Sequence, residues 1–188
     1  MRVVGGLAKG RRVKAPKGHT LRPTADRVKE ALFNILPHDL SGYRVLDLFA
    51  GTGNLSLEAL SRGAAEAFLV DESRGARKAI EENLRALGFK EQAHVWTAPV
   101  IRVLRMLGRK GERFDLIFLD PPYEKNLIEP ALRAIAKQAL LRQTGTAIAE
   151  HSVREKIEER YASLVLRDQR RYGTTLLSFF GFDQAQTS

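Results

Sequence analysis

Cysteine is absent from the 188 residues of this chain. Its absence excludes disulfide bonds, zinc sites with cysteine ligands and catalysis by a thiolate nucleophile. The four histidines do not show the spacing of metal ligands, so we expect no metal site. Long apolar runs are also missing, since no segment approaches the roughly 20 apolar residues that a membrane helix needs. The N-terminus lacks the apolar core of a signal peptide, and we therefore expect a cytoplasmic protein with no membrane partner.

Acidic residues are scarce at one end of the chain. The whole sequence has 31 basic and 22 acidic residues, a formal net charge of +9. The segment Met1–Tyr43 carries nine of the basic and three of the acidic residues, and Met1–Arg22 has no acidic residue at all. A concentration of one sign of charge is typical of proteins that bind a polyanion, most often nucleic acid. A basic terminus that is merely solvated is the alternative.

Hydrophobic residues make up 44% of the chain and charged residues 28%, which is typical of a soluble globular protein. From about Arg44 onward, short apolar segments alternate with segments of helical periodicity. We predict five alternating strands, at Val45–Phe49, Ala67–Asp71, His94–Thr97, Phe114–Leu119 and Thr146–Ala149. A charged helix and two antiparallel strands are predicted to follow, at Val153–Glu159, Ser163–Arg167 and Thr174–Phe180. This pattern predicts an α/β fold, a doubly wound and mostly parallel sheet with an antiparallel C-terminal edge.

The N-terminal segment precedes this alternation. Two short strands, Arg2–Val4 and Arg11–Val13, are predicted to form a basic hairpin that docks on the main domain. A helix then runs to about Leu36, with Thr24 as its N-cap and Asp26 in its first turn. We divide the chain into a basic hairpin extension (residues 1–20), a main domain (residues 21–182) and a flexible tail (residues 183–188).

The turn Ala50-Gly51-Thr52-Gly53 joins the first strand to the following helix. A strand, a glycine turn and a helix in this order are typical of nucleotide-binding loops, because glycine lets the backbone bend and approach a ligand. An ordinary connecting loop is the alternative. Asp47 favours the binding loop, since a carboxylate within an apolar strand is costly without a partner. Ser56 stands where a dinucleotide-binding loop has its third glycine, and the Lys-Ser/Thr ending of a P-loop is missing.

Acidic residues also end the second and fourth predicted strands. Asp71 lies about twenty residues after the glycine turn, the separation at which a carboxylate binds ribose hydroxyls. The segment Asp120-Pro121-Pro122-Tyr123 follows strand four. Ligands bind at the carboxyl ends of the strands in such sheets, so we expect these features on one rim. S-adenosylmethionine (AdoMet) fits the pattern, because it needs no pyrophosphate cradle and Asp47 lies near enough to hold its ammonium group.

The segment VLDLFAGTGNLSLEALSRGA, the Asp71 strand end and the segment DPPY resemble class I AdoMet-dependent methyltransferases that modify exocyclic amines. The segments MRVVGGLAKGRRVKAPKG, LRPTADRVKEALFNIL and FDLIFLDPPY resemble the RsmD family, which methylates guanine N2 in 16S ribosomal RNA. The resemblance spans Met1 to about Phe180. It implies a Rossmann-like fold, AdoMet as cofactor and 16S rRNA as partner, within an assembling or assembled small ribosomal subunit. We also expect a monomer.

The resemblance implies roles for three groups of residues. The catalytic group is Asp120, Pro121 and Tyr123. The cofactor-binding group is Asp47, Phe49, Gly51, Gly53, Asp71, Glu72, Ala98, Thr24 and Asp120. The RNA-binding group is Lys9, Arg11, Arg12, Lys14, Arg22 and Lys29. The segment Thr97-Ala98-Pro99 departs from many relatives of this fold, in which an acidic residue after strand three contacts the adenine amine.

The chemistry of an exocyclic amine supports the catalytic group independently. Such an amine is a poor nucleophile, because its lone pair is delocalised into the ring. Asp120 and the Pro121 carbonyl are expected to accept its hydrogen bonds and aim the nitrogen at the methyl group, while Tyr123 stacks on the base. Methylation at pyrimidine C5 generally requires a cysteine nucleophile, and this chain has no cysteine. A DNA adenine N6-methyltransferase and a non-catalytic rRNA-binding assembly factor are the alternatives.

Overall fold

The computed structural model describes residues 1–15, 23–123 and 125–183, with side chains of the first helix described from Asp26 onward. The chain divides into two compact units, Met1–Pro99 and Val100–Ser188. Each unit combines helices with its own set of strands. Within the described ranges, no helix is both long enough and apolar enough to cross a membrane.

The first unit contains three parallel strands in the order β3-β2-β1. Its elements in chain order are α1 (Pro23–Ile35), β1 (Arg44–Leu48), α2 (Asn54–Ser61), β2 (Glu66–Asp71), α3 (Arg74–Leu87), a short 3-10 helix (Lys90–Gln92) and β3 (Ala93–Thr97). The register pairs Leu48 with Val70 and Asp71 with Thr97. The carboxyl ends of these three strands are therefore neighbours.

Local sequence patterns account for these elements. Residues 67–70 of β2 are all buried, as a strand covered on both faces requires. Helix α3 begins after Ser73, whose Oγ accepts a hydrogen bond from the Ala76 amide, and it ends at Gly88. Its buried stripe includes Ala79 and Ile80, one helical face that packs on the strands.

The second unit contains five strands in the order β4-β5-β8-β7-β6. Its elements in chain order are α4 (Val100–Arg109), β4 (Phe114–Leu119), α5 (Ile128–Lys137), β5 (Leu141–Ser152), β6 (Arg160–Tyr161), β7 (Leu164–Tyr172) and β8 (Thr175–Phe182). Strands β4 and β5 are parallel, whereas the other neighbouring pairs of this unit are antiparallel. The predicted α/β fold, mostly parallel with an antiparallel C-terminal edge, is confirmed.

Three predictions in the second unit need correction. The segment Val153–Glu159 is not a helix. It begins with a single turn, in which the Glu155 amide donates to the Ser152 carbonyl (3.0 Å), and the Val153 amide donates to the Thr174 carbonyl (2.9 Å). The strand predicted at Ser163–Arg167 is longer, since β7 continues to Tyr172, which pairs with Thr175. Strand β5 is also longer than predicted and extends past Ala149 to Ser152.

The N-terminal hairpin is smaller than predicted. Its two arms pair at a single antiparallel bridge between Arg2 and Arg12, and no regular strand forms in residues 1–15. Helix α1 begins at Pro23, so Thr24 lies inside its first turn and is not the N-cap. Proline suits the first helical position, because the amide hydrogen that it lacks would have no partner within the helix.

Candidate active site

The glycine turn after β1 has an unusual backbone. Phe49, Gly51 and Gly53 have positive φ angles of 67°, 56° and 76°. A left-handed conformation is costly for a residue with a Cβ atom, so Phe49 holds strain of the order of 1 kcal/mol. Left-handed residues at every second position turn the chain sharply out of β1 and into α2.

The space around the two glycines, Gly51 and Gly53, differs. A Cβ atom on Gly53 would lie 3.1 Å from Leu69 Cδ2 and 3.5 Å from Ile80 Cγ1, so the turn packs closely on β2 and α3 there. A Cβ atom on Gly51 would meet, among the described atoms, only the Phe49 carbonyl oxygen at 3.9 Å. The Gly51 side of the turn therefore faces space in which a ligand can approach the backbone.

Asp47 is 1% exposed within β1. Its Oδ2 accepts hydrogen bonds from the Ser56 hydroxyl (2.8 Å) and from the Ser56 amide (3.3 Å) in the first turn of α2. Burial raises the pKa of Asp47 to about 7, although the two Ser56 hydrogen bonds act in the opposite direction. The carboxyl group therefore joins β1 to α2, and its charge changes near neutral pH.

The Asp71 carboxylate connects three elements of the first unit. Its Oδ2 accepts a hydrogen bond from the Gly51 amide (2.9 Å), and its Oδ1 accepts one from the Ser73 amide (2.8 Å). The acid at the end of β2 thus holds the glycine turn beside the start of α3. Each carboxylate oxygen can accept a second hydrogen bond, so ribose hydroxyls can still bind there. Glu72 follows as an exposed residue.

Strand β3 ends beside Asp71 with Thr97, which is followed by the half-buried Ala98. Thr97 Oγ1 is buried and has no hydrogen-bond partner among the residues that the structure describes. A buried hydroxyl without a partner is costly, and a bound polar ligand can satisfy it. Thr97 is not among the predicted site residues. A polar residue at the carboxyl end of a predicted strand is the sequence feature that indicates it.

In the second unit, Asp120–Tyr123 follows β4 directly. Asp120 is exposed, Pro121 is buried and Tyr123 is half-buried. The Tyr123 hydroxyl donates to Glu150 Oε1 (3.0 Å) and lies 3.1 Å from Thr175 Oγ1. Burial raises the pKa of Tyr123 to about 12, so the hydroxyl keeps its proton and the ring is anchored at its polar end.

Glu150, the partner of Tyr123, was not predicted as a site residue. The predicted fifth strand ended one residue earlier, at Ala149, whereas β5 continues through Glu150. Burial raises the pKa of Glu150, and the hydrogen bond from Tyr123 opposes that effect. The sequence did contain a signal, because Glu150 is an acidic residue after an apolar run, as are Asp71 and Asp120.

The basic N-terminal segment is bound to α2 and α3 by buried polar side chains. They accept hydrogen bonds from its amides: Glu58 Oε2 from Val4 (2.8 Å), Ser61 Oγ from Ala8 (2.8 Å) and Asn83 Oδ1 from Lys14 (2.9 Å). These contacts hold the segment on α2 and α3, in addition to the backbone hydrogen bonds between its own two arms, such as the one from the Val3 amide to the Arg11 carbonyl (3.0 Å). Four of the predicted RNA-binding residues project from this segment as exposed side chains, namely Lys9, Arg11, Arg12 and Lys14.

Lys29 is not an exposed cation, and the structure contradicts its prediction as an RNA-binding residue. Its side chain is 2% exposed, and its Nζ lies 3.6 Å from Glu58 Oε2. The same Nζ donates to Asn54 Oδ1 (3.1 Å) and to the Arg2 carbonyl. Burial lowers the pKa of Lys29, and the charge of Glu58 opposes that effect. An ammonium group enclosed in this way does not reach a phosphate.

The structure does not describe the side chains of two other predicted site residues. Arg22 lies outside the described residues, and so does the side chain of Thr24. Within residues 1–15, 23–123 and 125–183, no three histidine, aspartate or glutamate side chains group as metal ligands.

A family model and several known proteins match most of this chain. The family model described as "Conserved hypothetical protein 95" matches residues 1–181. YlbH of Bacillus subtilis (strain 168), provisionally described as an rRNA methyltransferase, is 37% identical over 180 residues, which cover 96% of this chain and 98% of YlbH. The "Ribosomal RNA small subunit methyltransferase D" of Escherichia coli (strain K12) is 34% identical over 155 residues, which cover 81% of this chain and 75% of the relative.

One solved structure resembles this chain over most of its length. It is that of yhhF from Escherichia coli, provisionally assigned as a methyltransferase. Its TM-score is 0.83 at 31% sequence identity, and the match covers 97% of this chain and 98% of yhhF.

Proposed function

The chain belongs to the family described as conserved hypothetical protein 95, the RsmD family, and from this membership we propose that it methylates the exocyclic N2 amine of a guanine in 16S ribosomal RNA. The relatives carry the names of rRNA methyltransferases, one of them provisionally, which supports rRNA as the substrate class and AdoMet as the methyl donor. The choice of an amine rests on Asp120–Tyr123, the segment after β4 whose tyrosine is anchored by Glu150 and Thr175.

The residues of the first unit fit AdoMet. The Gly51 side of the turn is open, Asp71 keeps acceptor capacity, and the buried Thr97 hydroxyl lacks a partner among the described residues. We assign Asp71 to the ribose hydroxyls and Asp47 to the ammonium group. The remaining residues assigned to this site are Phe49, Gly51, Gly53, Glu72, Ala98 and Thr24. When bound, AdoMet supplies a methyl group that is attached to a positively charged sulfur, and an amine nitrogen can attack this methyl carbon directly.

Asp120 and the Pro121 carbonyl orient the guanine amine in this proposal. Each accepts a hydrogen bond from one amine hydrogen, which directs the nitrogen lone pair toward the methyl group. Pro121 and Pro122 restrict the backbone, so the two acceptors keep their positions. Tyr123 stacks on the base. As the new N–C bond forms, the bond from the methyl carbon to sulfur breaks and its electron pair stays on the sulfur, which becomes a neutral thioether. The nitrogen releases a proton, and the Asp120 carboxylate is its proposed acceptor.

The four exposed cations of the N-terminal segment, with Arg22, are assigned to the RNA backbone. Phosphate contacts position a protein on RNA but carry little sequence information, so four to five of them do not select one guanine. We therefore propose that a monomer of this protein acts on rRNA within an assembling or assembled small subunit, where the ribonucleoprotein presents the base. Such a substrate would place the activity in the cytoplasm.

The proposal is tested by supplying tritiated AdoMet with naked 16S rRNA, with small ribosomal subunits and with duplex DNA. Label is expected in rRNA and absent from DNA, and mass spectrometry of nuclease digests should identify N2-methylguanosine. Label in DNA alone would favour the adenine methyltransferase. Label at another rRNA atom would overturn the N2 assignment, and binding to rRNA without any label would favour a non-catalytic assembly factor.

Cofactor affinity is expected to depend on pH through Asp47. Since burial raises the pKa of Asp47 to about 7, its carboxyl group is mostly neutral near pH 5 and becomes ionised toward pH 7. An α-amino group stays protonated over this range and prefers the ionised partner. The dissociation constant of S-adenosylhomocysteine, measured by calorimetry, should fall by up to about tenfold per pH unit between these limits. Asp47→Asn should remove the dependence, and a flat wild-type profile would contradict the assignment.

The Glu150–Tyr123 contact is expected to hold the acceptor base in position. Glu150→Ala frees the Tyr123 ring, so kcat/KM for RNA should fall by about tenfold, mainly through KM, in steady-state assays at saturating AdoMet. Glu150→Gln keeps an acceptor for the Tyr123 hydroxyl and should retain most of the wild-type value. Equal kinetics of the two variants would show that the hydrogen bond does not position the ring.

A further inference from the structure

Helices α4 and α5 of the second unit form a groove of about 380 Å³. Four cationic side chains line it, Arg105 and Arg109 from α4 and Arg133 and Lys137 from α5. Small or apolar residues such as Ala134 lie between them, and no described residue that lines the groove is acidic. The groove is therefore an electropositive surface that the proposed chemistry does not use.

Arg133 contributes little free charge to this groove. Its Nη2 lies 2.8 Å from Glu129 Oε1 and 3.0 Å from Glu158 Oε1, and its guanidinium carbon lies 5.3 Å from the centre of the Tyr161 ring. These contacts bind α5 to the segment before β6. Arg133 is therefore a structural cation, and its charge is largely compensated by the two carboxylates.

The other three cations are uncompensated. Arg105, Arg109 and Lys137 are exposed, and none of them forms an ion pair within the described ranges 1–15, 23–123 and 125–183. Arg105 and Arg109 are one helical turn apart, about 6 Å along α4, where like charges destabilise a helix by a few tenths of a kcal/mol. A bound anion would attract both arginines and so offset the repulsion between them.

The placement of the cations favours a chain of phosphates over a small anion. Its cations come from two helices and are exposed, so they offer no enclosed cage for a single ion. Arg105, Arg109 and Lys137 can instead each neutralise a different phosphate along one strand, and no described residue that lines the groove is acidic and would repel that strand.

We propose that the α4–α5 groove binds the phosphodiester backbone of the RNA substrate, as a contact additional to the cations of the N-terminal segment. The inference rests on the proposed function in so far as the substrate is RNA. The groove contributes affinity and register without taking part in methyl transfer, because backbone contacts position a protein but do no chemistry.

The test compares the triple variant R105Q/R109Q/K137Q with the matched control K78Q/K90Q/K156Q. The control removes the same charge at three exposed lysines that form no ion pair in the described part of the chain. RNA affinity is measured by filter binding to naked 16S rRNA and to small subunits, over a series of salt concentrations. AdoMet affinity by calorimetry checks that both proteins are folded.

The groove variant is expected to lose about 10- to 100-fold in RNA affinity, and its plot of log K against log[salt] should be shallower by about 2. Its KM for RNA should rise while kcat at saturating RNA stays at the wild-type value. Equal affinity and slope in the groove variant and the control would overturn the proposal. A loss seen with subunits but not with naked RNA would also overturn it, since the partner would then be a protein.

The wild-type protein separates failure of this proposal from failure of the proposed function. A wild-type protein that methylates rRNA, with a groove variant that behaves as the control does, refutes the groove alone. A wild-type protein that neither binds nor methylates RNA refutes both.

Discussion

Asp120→Ala is expected to lower kcat for methyl transfer by about 10²–10³-fold, the loss typical of removing one polar group that orients or stabilises a reacting centre. The exposed carboxylate follows β4 directly, beside a buried proline and an anchored tyrosine. Without it, the amine loses its main acceptor and the nitrogen no longer points steadily at the methyl group. Single-turnover assays with tritiated AdoMet measure this step apart from RNA binding.

Asp115→Ala is the matched control. Asp115 is another carboxylate of the β4 region, and its Oδ1 lies 3.0 Å from Arg142 Nη1 in a surface ion pair. Its removal should leave kcat within about twofold of the wild type, because exposed pairs contribute little. Asp115→Ala should also bind AdoMet normally, since Asp115 is not among the residues assigned to the donor site. An Asp120→Ala protein with wild-type kcat would refute the proposed mechanism.

Glu58→Ala is expected to lower the free energy of unfolding by about 3–5 kcal/mol, which is the usual cost of leaving a buried charge without its partner. The Glu58 side chain is fully buried. It lies 3.6 Å from Lys29 Nζ and 3.1 Å from Arg62 Nε, and it also accepts the Val4 amide. Its loss would strand a buried ammonium group and release part of the N-terminal segment from α2.

Urea unfolding of two further variants tests whether the buried charge causes the loss of stability in Glu58→Ala. Glu66→Ala breaks a half-exposed pair with Arg44 (3.1 Å) and should cost less than about 1 kcal/mol. The double variant Lys29→Met with Glu58→Leu replaces the pair by apolar groups, and it should be more stable than Glu58→Ala alone. If Glu58→Ala and Glu66→Ala unfold at the same urea concentration, the buried cluster does not stabilise the fold.

Those parts of the fold that depend on neighbouring residues were readable from the sequence. Strand β4 has the predicted limits, Phe114–Leu119, because a short apolar run between polar residues has few alternatives. Ser73 and Gly88 mark the ends of α3, since cap preferences act within one helical turn. The candidate site was predicted by the same local logic, as acidic residues that end buried strands, namely Asp71 and Asp120.

Contacts between distant residues were decided by the tertiary structure alone. Lys29 reads as one more basic residue near a basic terminus, and only Glu58, on another helix, makes it a buried cation. Glu150 becomes part of the candidate site because β5 pairs with β8 beyond Ala149 and brings Thr175 and Tyr123 to it.

The N-terminal hairpin and the groove show the same division. The sequence by itself determined that residues 1–15 are basic and that α4 and α5 carry cations at helical spacing. Only packing decided that Glu58, Ser61 and Asn83 would accept hydrogen bonds from the N-terminal backbone. The physical reason is that secondary-structure preferences are set within a few residues, whereas burial and charge pairing depend on side chains brought together from far along the chain.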